Sequence, residues 1–138
     1  MNATITEINI KTYEDLSTSV ILDCKVTYIL RTLGIPAHLN GYMYLKSAII
    51  KTVEDPAYLF LITKRLYVDI AKEYSVTASK VERGMRTAIE KTEGTNSAIK
   101  IAFIGQSKDY YTNTEFITAI SELIRWSRLM EENQIKAH

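Results

Sequence analysis

The sequence predicts an all-α protein in which several helices form one compact domain. Only five glycines and two prolines interrupt its 138 residues, and the apolar residues between them recur at spacings of three and four. That spacing places apolar side chains on one face of a helix. The composition, 46% hydrophobic and 24% charged, is typical of a soluble globular chain long enough to bury a core without disulfides or a metal.

The first predicted helix runs from Asp15 to Leu33. Its apolar residues share one stripe, and Gly34 followed by Pro36 forms a stop signal; the stripe comprises Leu22, Val26, Ile29, Leu30 and Leu33. Residues 1–14 alternate only weakly between apolar and polar, and a lone strand there has no partner in the chain. We therefore expect a short N-terminal arm over residues 1–14 and a helical domain over residues 15–138.

Four further helices are predicted between residues 41 and 92. GYMYLKSAIIKTVED (41–55) predicts a second helix ending near Glu54, and Asp55 before Pro56 predicts an N-cap for a third over 56–66. This third helix is apolar on nearly every side, so we expect it to be central and buried. A short fourth helix is predicted over 68–74, a turn over 75–77, and a fifth helix over about 78–92, closed by Gly94.

The last two predicted helices cover SAIKIAFIG (97–105) and residues 112–132. Gly105 ends the first of them, and Thr112 or Thr114 together with Glu115 favours the start of the second. We find no repeat, low-complexity segment or linker that would divide the domain.

Several classes of protein are excluded by the residues that the chain lacks. The single cysteine, Cys24, rules out an internal disulfide, suits a reducing compartment and is interpreted as a small buried apolar residue. His38 and His138 together with that cysteine give no metal-ligand spacing and no nucleophile with its base. The sequence therefore predicts no enzyme, no cofactor and no metal. No export signal and no apolar run of roughly 20 residues is present, so a cytoplasmic protein without a membrane segment is expected.

Residues 69–89, DIAKEYSVTASKVERGMRTAI, have the spacing of a helix-turn-helix motif. Such a motif needs a small residue where its helices cross, a short turn with an unusual backbone angle, and apolar residues that lock both helices to the core. Ala71 supplies the small residue, and the predicted core contacts are Ile70, Tyr74, Val76, Val81, Met85, Ala88 and Ile89. Ser75 is the exception, because Gly or Asn would adopt a positive φ more readily.

The side chains left on the outer face of the second motif helix are suited to a DNA major groove. Lys and Arg donate to guanine, Glu accepts from cytosine, and Ser or Thr bonds bases or phosphates; this face comprises Ser79, Lys80, Glu82, Arg83, Arg86 and Thr87. Gly84 costs about 1 kcal/mol inside a helix, which a close backbone approach to another helix or to DNA would explain. Helical spacing alone equally fits a solvated face on which Glu82 pairs with Arg86. Lys64 and Arg65 are candidate phosphate contacts, and a plain solvated face explains these two cations about equally well.

Three segments carry a resemblance to a known family: IPAHLNGYMYLKSAI (35–49), residues 62–90, and TNTEFITAI (112–120). In this order they resemble the C-terminal effector domain of stage-zero sporulation protein A, the regulator that initiates sporulation. The resemblance implies an all-helical domain that binds double-stranded DNA at boxes resembling TGTCGAA, often as a head-to-tail homodimer on tandem boxes. It also implies that the second motif helix reads the bases through Ser79, Lys80, Glu82 and Arg83, with Arg86 as a further contact. Thr87 is a further candidate contact because of its place on the same outer face.

The chain departs from the family in four places. Lys80 stands where the family usually has arginine, and a lysine lacks the planar fork that reads guanine with two bonds. Val68 replaces a common proline, and GTNSAIKIAFIGQSKDYY (94–111) matches poorly where the family touches the sigma subunit of RNA polymerase. No receiver domain is present, so the chain is interpreted as a fragment or as a stand-alone relative. An alternative is a protein-interaction module that keeps the fold, no longer binds DNA and pairs with a full-length regulator.

Overall fold

The computed structural model describes the backbone of residues 3–137 and the side chains of residues 18–134. Within these residues the chain is helical and forms no strand, which confirms the predicted all-α class. The helices are α1 (Ala3–Thr32), α2 (Asn40–Glu54), α3 (Tyr67–Tyr74), α4 (Ala78–Glu90), α5 (Ser97–Ile104) and α6 (Asn113–Ala137). A 3₁₀ turn over Pro56–Phe60 and a π turn over Ile62–Leu66 connect α2 to α3.

Helix α1 begins at Ala3 rather than at the predicted Asp15, so residues 3–14 continue the helix instead of forming a strand or an irregular arm. No glycine or proline occurs before Gly34, so nothing in the sequence stops the helix earlier. Gly34 then adopts a φ of 90° and ends it, as predicted. The domain boundary at residue 15 stays a prediction.

The predicted apolar stripes of α1 and α2 form the centre of the core. All five stripe residues predicted for α1 are buried, as are Tyr42, Leu45, Ile49 and Val53 of α2. Helix α2 packs against α1, α4 and α6, so it is the central helix of the domain. Cys24 is exposed on α1, so the prediction that it is buried was wrong. The stripe that faces the core includes Leu22 and Val26 on either side of Cys24, but Cys24 itself lies off that stripe.

The prediction of a third helix over residues 56–66 was wrong. This segment is not one helix, and it is not the buried centre of the fold. Asp55 caps the first turn as predicted, accepting a hydrogen bond from the Ala57 amide at 3.2 Å. The turn nevertheless ends at Phe60, whose side chain is 88% exposed, and Leu61 has the non-helical angles φ −136° and ψ 42°. An apolar run without a helical period does not define a buried face, so it misled the prediction.

Two sets of hydrogen bonds, one from Lys100 and one at the start of α6, fix the segment between α4 and α6. The buried Lys100 donates to the carbonyl oxygens of Glu93 at 3.0 Å and Lys108 at 2.9 Å. Thr112 caps α6 by accepting from the Glu115 amide at 3.1 Å, which settles the choice between Thr112 and Thr114. The Lys108 ammonium beside Glu115 lowers the pKa of that carboxyl. Helix α6 then runs to Ala137, beyond the predicted end at 132.

No helix in the described part of the chain is both long and apolar enough to cross a membrane.

Candidate nucleic-acid interface

Helices α3 and α4 and the turn between them form the predicted helix-turn-helix motif. Ser75 adopts left-handed angles, φ 54° and ψ 47°, and is the one non-glycine residue of positive φ in the described chain. The Val76 amide donates to the Ala71 carbonyl at 2.9 Å, which closes the turn over the end of α3. The positive φ expected of this turn is therefore present, and a serine provides it at a cost of about 1 kcal/mol.

The start and the inner face of α4 agree closely with the prediction from the sequence. The Thr77 hydroxyl accepts from the Lys80 amide at 3.1 Å, which satisfies one of the free donors at the helix start. The helix begins at Ala78, as predicted, and ends at Glu90, two residues before the expected end. Its four predicted anchors, Val81, Met85, Ala88 and Ile89, are all at most 1% exposed. The orientation of α4 is thus fixed by the core.

Gly84 lies where α4 crosses the beginning of α2. A Cβ on Gly41 would lie 1.9 Å from the Gly84 carbonyl oxygen, and a Cβ on Gly84 would lie 2.9 Å from two ring carbons of Tyr44. The two helices therefore touch through their main chains. Of the two explanations that the sequence left open for Gly84, the close approach to a neighbouring helix is confirmed.

The outer face of α4 carries all six predicted side chains, and the structure separates them into two groups. Glu82 and Arg86 form an ion pair one turn apart, as the solvated-face interpretation requires. Among the described residues, by contrast, no ion pair involves Lys80 or Arg83, and both are exposed. Two uncompensated cations therefore remain on the outer face, beside the exposed hydroxyls of Ser79 and Thr87.

A groove of about 500 Å³ separates this face from the start of α2. Its α4 wall includes Lys80, Arg83 and Thr87, and its α2 wall is lined by Leu39, Asn40, Gly41 and Tyr44. Sequence reasoning missed the α2 wall. The signal that could have indicated it is the pair of glycines, since a glycine in each of two helices permits a close crossing and a shared groove.

The two candidate phosphate contacts differ in their surroundings. The Arg65 guanidinium lies 4.6 Å from the centre of the Tyr58 ring and 3.7 Å from an Asp55 carboxylate oxygen, so it is tied to the turn before α3. Tyr58 in turn donates to Asp69 at 2.6 Å, and this hydrogen bond raises the Tyr58 pKa. Lys64 is exposed, and no ion pair within the described residues involves it.

The described side chains contain no group of three or more His, Cys, Asp and Glu that could hold a metal ion. His38 lies exposed in the loop before α2, and His138 lies outside the described residues.

The comparison with known proteins agrees with this geometry. A family model described as "Sporulation initiation factor Spo0A C terminal" matches residues 26–124, which is more than half of the chain. The match includes all of α2 to α5, and thus the whole helix-turn-helix motif and the groove beside it. The family consists of DNA-binding effector domains and is not a family of enzymes. The chain therefore belongs to the family of Spo0A C-terminal domains.

Proposed function

We propose that this protein regulates transcription by binding double-stranded DNA at a specific sequence, with α4 in the major groove. The observation that carries the proposal is the outer face of α4, where Lys80 and Arg83 are exposed and unpaired in the described chain while the opposite face is locked in the core. Base reading requires donors and acceptors held in a fixed orientation, and a helix anchored on its inner face provides this.

The chemistry of each side chain assigns it a role. Arg83 donates two hydrogen bonds to guanine, Lys80 donates to guanine as a point charge, and Ser79 and Thr87 bond a base or a phosphate. Glu82 accepts from cytosine once its ion pair with Arg86 opens, and Arg86 then reaches a base or a phosphate. Reading by Glu82 therefore includes the exchange of one exposed ion pair, which costs little in water.

Contacts to the DNA backbone complete the proposal. Lys64 is exposed and without an ion pair in the described chain, so its charge is available to a phosphate. Arg65 supplies a second phosphate contact from its position over Tyr58. The proposed DNA box resembles TGTCGAA. Two copies of the protein bind tandem boxes head to tail. A contact with the sigma subunit of RNA polymerase involves residues 94–111.

Fluorescence anisotropy with a TGTCGAA duplex and a scrambled duplex, each at two salt concentrations, tests the function. We expect tighter binding to the box at both salt concentrations and a decline in affinity with salt on both duplexes, because phosphate contacts release counterions. Equal affinity for the two duplexes would contradict sequence-specific recognition.

The second candidate function is a protein-interaction module that pairs with a full-length regulator. Exposed apolar side chains outside the motif favour it, above all Trp126 and Leu129 on α6, which are 64% and 51% exposed. Absence of binding to either duplex at low salt, with co-elution of the protein and a full-length regulator in size-exclusion chromatography, would support this alternative and reject the first.

A further inference from the structure

Asn113, the first residue of α6, joins that helix to both helices of the motif. Its side-chain nitrogen Nδ2 donates to the Tyr67 hydroxyl oxygen and to the main-chain carbonyl oxygen of Glu82, each at 3.1 Å. Tyr67 is the first residue of α3, and Glu82 lies in α4. Asn113 is only 9% exposed, so water competes little for these bonds. One buried nitrogen atom thus connects three helices.

The bond to Glu82 acts on the backbone of α4 and not on a side chain. A carbonyl oxygen has two lone pairs, of which the helix uses one to accept from the amide four residues later, here that of Arg86. Asn113 occupies the other. Because the bond holds the main chain, it fixes the position of the helix itself, with Arg83 directly next to the tethered residue.

The chemistry of this position requires an amide. The Asn113 nitrogen carries two hydrogens, and both bonds use it as the donor. An ionised aspartate has the same shape but no hydrogen to donate, and its charge would repel the Glu82 carbonyl oxygen. Asn113→Asp therefore removes the bond to α4 with almost no change in side-chain volume.

We propose that Asn113 is a positioning residue for DNA recognition, which fixes the tilt of α4 so that Ser79 and Arg83 meet the base edges. This inference rests on the proposed DNA-binding function. Base contacts depend on a defined direction of approach, whereas phosphate contacts by flexible cations tolerate a small displacement of the helix. Loss of the tether should therefore reduce binding to the box far more than binding to scrambled DNA.

The test compares Asn113→Asp with Ser121→Ala by anisotropy on the box and on a scrambled duplex, below the unfolding temperature of every variant. Ser121 is a matched control, because it lies fully buried on the same helix with a hydroxyl that has no partner in the described chain. We expect Asn113→Asp to lose about tenfold in affinity for the box and less than about threefold for scrambled DNA. Ser121→Ala should change neither. Equal losses on the two duplexes would overturn the positioning role.

Tyr67→Phe removes only the hydroxyl end of the tether and provides a milder variant should Asn113→Asp not fold. Each single change should lower the ratio of box to scrambled affinity, and Asn113→Asp/Tyr67→Phe should lose no more than Asn113→Asp alone, since both act through one connection. Independent, multiplying losses would contradict a shared tether.

Amide hydrogen exchange of the free protein, followed by NMR, separates this inference from the function on which it rests. Asn113→Asp should speed exchange of the Arg86 amide and its neighbours in α4 and leave α2 unchanged. If the wild-type protein fails to bind the box, the proposed function fails, while the exchange pattern still decides whether Asn113 holds α4. Unchanged exchange in α4 would reject the inference.

Discussion

The main chains of Gly41 and Gly84 meet at the crossing of α2 and α4, and a Cβ on Gly41 would lie only 1.9 Å from the Gly84 carbonyl oxygen. This contact sets the distance between the central helix of the core and the helix that presents the candidate DNA-reading face. The same contact also defines the groove between them, which both glycines line.

Gly41→Ala should destabilise the protein more than Gly84→Ala. The added methyl group at Gly41 meets backbone, which cannot rotate away, so we expect a loss of about 3 kcal/mol, at the upper end of overpacking costs. At Gly84 the methyl group comes within 3 Å of ring atoms of Tyr44 alone, at 2.9 Å, while the Gly41 Cα lies at an ordinary contact distance of 3.6 Å. Alanine also favours the helix by about 1 kcal/mol. Urea unfolding monitored by circular dichroism measures both changes.

The control for this pair is Gly94→Ala, because a Cβ there has no atom within 4 Å. It should change the free energy of unfolding by less than about 0.5 kcal/mol, as most surface substitutions do. A Gly41→Ala variant as stable as the Gly94→Ala control would show that the crossing of α2 and α4 is looser than described.

Ser75→Gly should stabilise the protein by about 0.5 to 1 kcal/mol. Serine at φ 54° carries the steric cost of a left-handed backbone, which glycine avoids, although glycine also loses more entropy on folding. Thermal and urea unfolding should both report the gain. Ser75→Val should destabilise the protein instead, since a β-branched side chain tolerates this region poorly; equal stability of the two variants would contradict the assigned turn.

Thr77→Ala should cost about 1 kcal/mol of stability, because it removes the oxygen that accepts from the Lys80 amide at the start of α4. Thr77→Ser keeps that oxygen and should lie close to the wild type in urea unfolding. If the serine variant loses as much as the alanine variant, the methyl group rather than the cap is responsible.

The sequence predicted the start of α4 and its inner face well, because the helical periodicity of its apolar residues is regular there and the turn over 75–77 precedes it. It failed at residues 56–66, where a continuous apolar run has no period that distinguishes a buried helix from exposed turns. The contacts between distant segments were also missed. Asn113 lies 31 residues from Glu82 along the chain, and no local pattern indicates that its amide reaches the backbone of α4.

The six candidate residues on α4 were found because outward positions follow directly from the inward ones. The sequence could not decide which of these charged side chains form an ion pair, since side-chain pairing depends on rotamers. Only the structure shows Glu82 bound to Arg86 and leaves Lys80 and Arg83 without an ion pair in the described chain.

Arg83→Ala should cost about 1–3 kcal/mol of binding free energy at the cognate box and much less on scrambled DNA, since it would remove the proposed two-bond contact to guanine. The matched control is Arg125→Ala, which removes an exposed arginine from α6. Anisotropy titrations at one fixed salt concentration measure both variants. An equal loss on the two duplexes would assign Arg83 to the phosphates.

Lys80→Arg should raise the preference for the box over scrambled DNA about fivefold, equivalent to roughly 1 kcal/mol. Lys80 is exposed and lines the groove beside α2, so the longer guanidinium has room to adopt its planar, two-bond geometry. Titrations of the wild type and the variant on both duplexes, repeated across salt, measure the preference and the number of phosphate contacts separately. A variant that binds both duplexes more tightly by the same factor would show that position 80 contacts only the DNA backbone.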